Sequence, residues 1–165
     1  MNTRTAVITG ASTGLGLECA RALLRTDASW HVVLAVRDGA RGADAVAQLG
    51  EATRCSVLDL DLASLESVRG FSERMRAAGL PPVHVIVCNA GVQVVSGTQS
   101  TADGFEMTFG VNHLGHFALV KGGYSTSWPA RHASSSSAAA RTTRATHRHA
   151  GTALHLRRGP RLCDG

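Results

Sequence analysis

The residues best suited to chemistry lie in a glycine-rich stretch at positions 9–16, where three glycines surround two hydroxyl side chains. The apolar run of residues 5–8 precedes this stretch, and a helical pattern over residues 17–25 follows it. Glycines permit a tight turn that lets the backbone approach a pyrophosphate, and the N-terminus of the following helix attracts its negative charge. This order predicts a dinucleotide-binding turn; the alternative is a turn that binds nothing. The predicted contacts come from Gly10, Ser12, Thr13, Gly14, Leu15 and Gly16.

Arg37 stands at the end of a second apolar run and is followed at once by Asp38. In a dinucleotide site, an acidic residue at this point accepts hydrogen bonds from the ribose hydroxyls of NAD, whereas an arginine pairs with the 2′-phosphate of NADP. Because the arginine comes first, we expect NADPH to be preferred over NADH. Two alternatives remain open: Arg37 lies on the surface, or Asp38 turns inward to the ribose.

The elements that must position these residues alternate along the first 120 positions. Short β-branched runs are followed by longer helical patterns, which predicts consecutive βαβ units and a parallel sheet. The expected fold class is therefore α/β, a Rossmann-like doubly wound parallel sheet, truncated after the fourth strand and the helix that follows it. The predicted strands span residues 5–8, 30–36, 55–58 and 83–88. The predicted helices span residues 17–25, 40–49, the stretch between an N-cap at Ser64 and a stop at Gly79, and residues 105–120, where Phe105, Phe109, Leu114 and Phe117 recur near helical spacing.

Length, charge and cysteine content exclude several classes of protein. The 165 residues suffice for one domain of ordinary size. A net charge of +5 invites a nucleic-acid partner, but the first 120 residues contain nine arginines, no lysine and 11 acidic residues, so the positive excess lies wholly in residues 121–165. The four cysteines have no paired spacing, which predicts a reducing compartment without disulfides. No apolar run is long enough to span a bilayer and no leader precedes the first strand, so we expect a cytoplasmic protein.

Two further motifs follow predicted strands: Asp61 and Leu62 after the third, and Asn89, Ala90 and Gly91 after the fourth. Together with the glycine turn, they resemble the short-chain dehydrogenase/reductase family over the first 120 residues. The resemblance implies that Asp61 accepts a hydrogen bond from the adenine amino group while Leu62 packs on the ring. It also implies that the Asn-Ala-Gly motif steadies the sheet beside the adenosine side of the cofactor. For Asp61, a helix-capping or solvated acid is the alternative.

Asn112 lies in the segment Val-Asn-His-Leu-Gly-His-Phe at residues 111–117, which is similar to the family's segment carrying its catalytic asparagine. The resemblance implies that Asn112 holds a water that relays protons to the active-site lysine. A polar residue with a glycine nearby fits a locally opened helix, and the alternative is an ordinary amide on a helix face. We expect His113 and His116 to be packing or surface residues, and no metal site is predicted, because no ligand cluster accompanies them.

Three stretches, at residues 30–38, 60–69 and 101–106, resemble a narrower branch of the family. This branch comprises the light-dependent protochlorophyllide reductases and their bacterial and retinol-dehydrogenase-like relatives. The resemblance implies a bulky, apolar substrate with a carbonyl group or a ring double bond.

The tail lacks the rest of the catalytic set that the resemblance implies. Family chemistry needs a tyrosine that passes a proton to the carbonyl oxygen, a lysine four residues later and a serine after the fifth strand. The sole tyrosine, Tyr124, follows the sole lysine, Lys121, so no Tyr-x-x-x-Lys motif exists. Residues 121–165 are basic and rich in Ser, Ala and Arg, and their apolar residues recur with neither the helical nor the strand spacing. A reading frame shifted near Val120 would explain these changes together, because a displaced frame admits a Val-rich strand that ends in serines.

These observations predict an NADP(H)-dependent oxidoreductase of this family that acts on a carbonyl or ring double bond of an apolar substrate and is inactive as written. Residues 1–120 would form the NADP-binding domain and residues 121–165 a disordered or out-of-frame tail. The alternatives are a non-catalytic NADP-binding remnant or an unstable fragment, because residues 83–87 would form an exposed apolar sheet edge. Expected partners are a small apolar substrate, no nucleic acid and no membrane span. The resemblance implies homo-oligomers through residues 105–120, which the truncation places in doubt.

Overall fold

The computed structural model describes residues 3–125, and the tail beyond Ser125 lies outside the described residues. Four parallel strands form one sheet in the order β3-β2-β1-β4. This architecture confirms the predicted α/β, doubly wound, parallel class. The strands are β1 (Arg4–Thr9), β2 (Trp30–Val36), β3 (Cys55–Asp59) and β4 (Val83–Val87).

Helices connect the strands and have identifiable ends. Asp38 caps the second helix by accepting from two backbone N–H groups, and Gly50, at φ 71°, ends it in the left-handed conformation. Ser64 caps the third helix as predicted, because its hydroxyl accepts from Ser67 N. The helices are α1 (Gly14–Thr26), α2 (Gly39–Leu49), a 3-10 turn (Ala52–Arg54), α3 (Leu65–Ala77), α4 (Met107–Phe109), a π-helix (Gly110–Gly115) and α5 (His116–Ser125).

Alternate residues of the central strands enter two cores, one on each face of the sheet. On one face, Ile8 and Leu34 pack against α1 and α2 through Leu17 and Ala45. On the other face, Val7 and Val33 pack with α3 and the last helical segment. Because successive strand side chains point to opposite faces, nearly continuous apolar runs such as Trp30–Val36 are required by a sheet covered on both sides.

The last helical segment differs from the single helix predicted over residues 105–120. It begins at Met107, opens into a π-helix and continues as α5 to Ser125, beyond the predicted domain boundary at Val120. The buried side of this segment is formed by Val111, His116 and Leu119, whereas Phe117 is 58% exposed. Phe105 and Phe109 are also exposed, so the aromatic residues that recur near helical spacing do not form the buried side of this segment. The π-helix adds a residue to one turn and so rotates the side chains that follow it, including Phe117.

The strand order places β4 beside β1 although three crossovers separate them in sequence. In such open sheets, ligands bind outside the carboxyl ends of the strands at the point where the order reverses. Here that point lies between β1 and β4, where the glycine turn and the Asn-Ala-Gly motif emerge. Over residues 3–125, no helix is long and apolar enough to cross a membrane.

Candidate functional site

A cavity of about 390 Å3 lies at the carboxyl edge of the sheet. Its walls are the glycine turn after β1, the start of α2, the segment after β3, the segment after β4 and the π-helix region. Residues that follow each of the four strands therefore contribute to its walls. Its lining includes Gly10, Ser12, Thr13, Arg37, Asp38, Arg41, Asp61, Leu62, Ala63, Asn89, Ala90, Gly91, Val92, Met107 and Val111.

The glycine turn packs directly against the Asn-Ala-Gly motif. Gly10 has φ 65°, and a methyl group on its Cα would lie 2.9 Å from Ala90 Cα. A methyl group at Gly16 would lie 2.6 Å from Asn89 Nδ2 and 2.6 Å from the Gly10 carbonyl oxygen. Gly10 therefore supplies a conformation that favours glycine, and Gly16 supplies close approach of the helix to the turn.

Asn89 holds the carbonyl groups of this turn. Its Nδ2 donates to the Thr9 carbonyl oxygen at 2.9 Å and lies 3.4 Å from that of Gly10. Thr9 Oγ1 in turn accepts from the backbone N–H groups of Asn89 and Ala90, both at 3.0 Å. Because the carbonyl groups are engaged on the β4 side, the turn keeps one orientation at the start of α1.

Two arginines lie on the cavity wall beside the start of α2. Neither Arg37 nor Arg41 has a salt bridge or a side-chain hydrogen bond within residues 3–125. Asp38 lies between them in sequence, and its Oδ1 accepts from Ala40 N at 3.0 Å and from Arg41 N at 3.2 Å. The carboxylate of Asp38 is therefore engaged as a helix cap, which disfavours the alternative in which it serves the ribose of NAD.

Asp61 and Leu62 line the cavity after β3. Asp61 Oδ1 accepts from Ala63 N at 2.9 Å, while its own backbone N–H donates to Ser67 Oγ at 3.0 Å. Leu62 is buried in the core and presents only a small part of its surface to the cavity. The first hydrogen bond orients the Asp61 carboxylate, and the second holds its backbone against the start of α3.

Asn112 lies in the π-helix and binds the segment after β4 on both sides of its amide. Its Oδ1 accepts from Val92 N at 2.8 Å, and its Nδ2 donates to the Val92 carbonyl oxygen at 2.9 Å. The structure therefore contains the opened helix that the glycines and Asn112 indicated. Asn112 itself is not part of the cavity lining, although Val92 and Val111 are.

The structure gathers most, but not all, of the predicted residues at one cavity. Leu15 is 83% exposed, and Gly14, Leu15 and Gly16 lie outside the lining. Arg41 was missed by sequence reasoning, although its place in the first turn of the helix that starts just after Arg37 was an available signal. Residues 3–125 hold no group of three or more His, Cys, Asp or Glu side chains suited to a metal ion.

The donor set of the cavity suits a phosphorylated dinucleotide. Arg37 and Arg41 supply positive charge to the cavity wall, and the glycine turn that leads into α1 lines it through Gly10, Ser12 and Thr13. An arginine pair of this kind matches a phosphate monoester, and a helix N-terminus matches a pyrophosphate. The residues present therefore fit the two anionic parts of such a molecule.

Comparisons with known proteins agree with this geometry. The model of the short chain dehydrogenase family matches residues 4–133. Protochlorophyllide reductase A of Oryza sativa subsp. japonica is 50% identical over 118 residues, which cover 70% of this chain and 30% of the relative. Protochlorophyllide reductase of Chlamydomonas reinhardtii is 49% identical over 120 residues, with 71% and 30% covered. The narrower resemblance to this branch is thus confirmed, and the chain spans about 30% of the length of these relatives.

A solved structure of the alcohol dehydrogenase from Thermococcus sibiricus, complexed with 5-hydroxy-NADP, superimposes with a TM-score of 0.59. It is 30% identical and covers 73% of this chain and 51% of its own. The match shows that the same arrangement of sheet and helices occurs in a solved alcohol dehydrogenase.

Proposed function

The chain belongs to the short-chain dehydrogenase family, and from this premise we propose that it binds NADPH in the cavity at the carboxyl edge of the sheet. The glycine turn would hold the pyrophosphate at the start of α1. Asp61 would accept from the adenine amino group, with Leu62 beside the ring. Asn89, Ala90 and Gly91 would form the wall that continues toward the reacting end.

The observation that carries the proposal is the pair of cavity arginines, Arg37 and Arg41, without salt-bridge partners in the part of the chain that the structure describes. A 2′-phosphate distinguishes NADPH from NADH, and charge-assisted hydrogen bonds to arginine are among the strongest in proteins. The cap formed by Asp38 removes the acidic competitor for the ribose. Preference for NADPH over NADH follows from this arrangement.

The proposed reaction is reduction of a carbonyl group or a ring double bond in an apolar, small-molecule substrate. The relatives named protochlorophyllide reductase support this substrate class. NADPH would supply the hydride, and Asn112 would hold a proton-relay water, as the family resemblance implies. The other members of the proton relay have no counterpart in the 165 residues, because Tyr124 follows Lys121.

A second candidate is an NADPH-binding chain that does not transfer hydride. The absence of a Tyr-x-x-x-Lys motif from the sequence favours it, because no residue pair is then available to protonate the substrate oxygen. Under either candidate we propose residues 1–120 as the cofactor domain, with residues 121–165 as a separate tail. A cytoplasmic location and no nucleic-acid partner remain parts of this proposal.

Titration of the purified 165-residue chain with NADPH and NADH, followed by nicotinamide fluorescence, tests the cofactor assignment. Replacing Arg37 with serine (R37S) removes a charge-assisted contact, so NADPH affinity is expected to fall by about tenfold or more while NADH affinity stays constant. R41S is also expected to lower the affinity for NADPH.

The matched control is R25S, which removes an exposed arginine near the end of α1, outside the cavity lining. It should leave both affinities unchanged. If R37S lost affinity for NADPH and NADH equally, or if the folded wild-type chain did not bind NADPH, the assignment would be contradicted.

A further inference from the structure

His116 is a buried histidine that lies outside the cavity lining and contacts two of the segments that form the cavity walls. It is 6% exposed and lies at the start of α5, directly after the π-helix. Its Nε2 lies 2.9 Å from Thr9 Oγ1, and its Nδ1 lies 3.1 Å from the Asn112 carbonyl oxygen. One imidazole ring therefore contacts both the end of β1 and the π-helix.

The contact with Asn112 replaces a bond of a regular helix. In an α-helix, the backbone N–H of His116 would donate to the carbonyl of Asn112, four residues earlier. Here that N–H bonds instead to the His113 carbonyl. The Asn112 carbonyl accepts from the imidazole, so the side chain of His116 supports the opened turn that carries Asn112.

The contact with Asn112 determines which ring nitrogen carries the proton. A carbonyl oxygen only accepts, so Nδ1 must carry the proton that it donates to Asn112. In the neutral ring this leaves Nε2 unprotonated, as an acceptor. Thr9 Oγ1 accepts from the N–H groups of Asn89 and Ala90, and its hydroxyl hydrogen has two acceptors within reach, His116 Nε2 at 2.9 Å and the Val87 carbonyl oxygen at 3.3 Å. Burial lowers the pKa of His116 below its ordinary value, although the bond to Asn112 partly opposes this effect.

The two contacts connect three segments of the cavity wall. Thr9 precedes the glycine turn and holds the start of the Asn-Ala-Gly motif, while Asn112 holds both backbone groups of Val92. We infer that His116, as its Nδ1–H tautomer, is a positioning residue that fixes the π-helix and Asn112 against the cofactor turn. This inference rests on the proposed NADPH function, and it assigns His116 no contact with the cofactor itself.

The tautomer is measurable on the wild-type chain by nitrogen-15 NMR of labelled imidazole groups. The inference predicts a protonated Nδ1 and an unprotonated Nε2 for His116 at pH 7. It also predicts that saturating NADPH shifts these signals, because the ring contacts Thr9, next to the glycine turn, and Asn112, which holds Val92 on the cavity wall. An Nε2–H tautomer, a charged ring, or no shift when NADPH is bound would overturn the inference.

Two substitutions separate the two contacts. H116N retains a short donor toward the Asn112 carbonyl but loses the reach to Thr9, whereas H116Q retains an acceptor near Thr9 and loses the short donor. Each variant is expected to weaken NADPH binding by about three- to tenfold through the loss of one buried hydrogen bond. Amide signals of Ala90 should move in H116N, and those of Val92 in H116Q.

The matched control is H113Q, which changes an exposed histidine of the same π-helix, in ring contact with Phe109. It should bind NADPH as the wild-type chain does. Wild-type affinity in folded H116N and H116Q would overturn the inference while leaving the proposed function intact. Absence of NADPH binding by the wild-type chain would instead refute the proposed function. If neither variant folds, the tautomer of the unsubstituted chain still decides whether the geometry is correct.

Discussion

Asn89 shows how a single side chain determines the shape of the candidate site. Its amide spans the gap between β4 and the glycine turn, and that gap is narrow because Gly16 has no side chain. A larger residue at position 16 would occupy the space of the amide nitrogen. The third glycine of the turn therefore serves packing between elements, whereas Gly10 and the helix start face the proposed phosphate.

Substitution of Gly16 by alanine tests this role. The added methyl group would lie 2.6 Å from Asn89 Nδ2, so α1 or Asn89 must move. We expect G16A to lower the melting temperature and to weaken NADPH binding by about tenfold or more, because a small displacement of the turn removes phosphate contacts. The measurement is thermal unfolding together with nicotinamide fluorescence.

The comparison variant is G122A, where a methyl group meets no atom within 4 Å. It should keep wild-type affinity. If G16A kept the wild-type melting temperature and NADPH affinity, the close contact between Gly16 and Asn89 would not be required for either.

The sequence indicated motif residues of the cavity wall but not the partners that hold them. Gly10 and Arg37 were identified from spacing and from the ends of apolar runs, and Asn89 from the family resemblance; all three line the cavity, and their roles toward a cofactor stay predictions. His116 was expected to be a packing or surface residue, and its burial agrees with packing. Its contact with Thr9 joins residues 107 positions apart, which no local pattern encodes.

The start of α2 is the element that brings the two arginines to the cavity. Asp38 accepts from two N–H groups of the first helical turn, so the helix begins at Gly39, two residues after Arg37. Arg41 lies in the first turn of this helix, and both arginines line the cavity. The cap and the cofactor preference are therefore connected, because the residue that would serve the ribose of NAD is used to begin the helix.

Substitution of Asp38 by asparagine or alanine separates the cap from the charge. Asparagine also caps helices, so the free energy of unfolding of D38N should stay within about 0.5 kcal/mol of the wild-type value. That of D38A should fall by about 1 kcal/mol. D38N should bind NADPH more tightly, because it removes a negative charge beside the proposed phosphate. Urea unfolding and fluorescence titration measure the two effects. A D38N chain that specifically loses NADH binding would instead indicate that Asp38 serves the ribose.

The last helical segment shows why element boundaries were harder to predict than element types. Spacing indicated one helix with a phenylalanine face, and the structure has a helical segment with an opened turn in its middle. A π-helix changes the phase of every following residue, and the apolar pattern before and after it cannot be read as a single period. Gly110 and Gly115, which bound the opened turn, were the available signal.

For the molecule as a whole, β4 is the more exposed of the two edge strands of the sheet in the described part of the chain. Within the described range β4 pairs only with β1, and Val85 is 37% exposed. Unpaired N–H and carbonyl groups beside apolar side chains invite pairing with another chain. The related dehydrogenases and reductases are longer than the region matched here, and this chain spans 30% of the rice relative.

Self-association through β4 is therefore expected of the purified chain. A lysine at Val85 should reduce it, because a charge on an edge strand opposes pairing with a second edge. The same lysine at Val95, a highly exposed position outside the strands, provides the control. Light scattering against concentration measures the effect. A monomeric wild-type chain with a cooperative melt, or equal effects of V85K and V95K, would contradict this expectation.

Amide-resolved NMR titration of the nitrogen-15-labelled chain tests whether the cavity at the carboxyl edge of the sheet binds NADPH. We expect saturable shifts at residues 10–13, 37–41, 61–63 and 89–92, with weaker binding of NADH and smaller changes at residues 37–41. Saturable shifts confined to other parts of the chain, or none at millimolar NADPH, would contradict it.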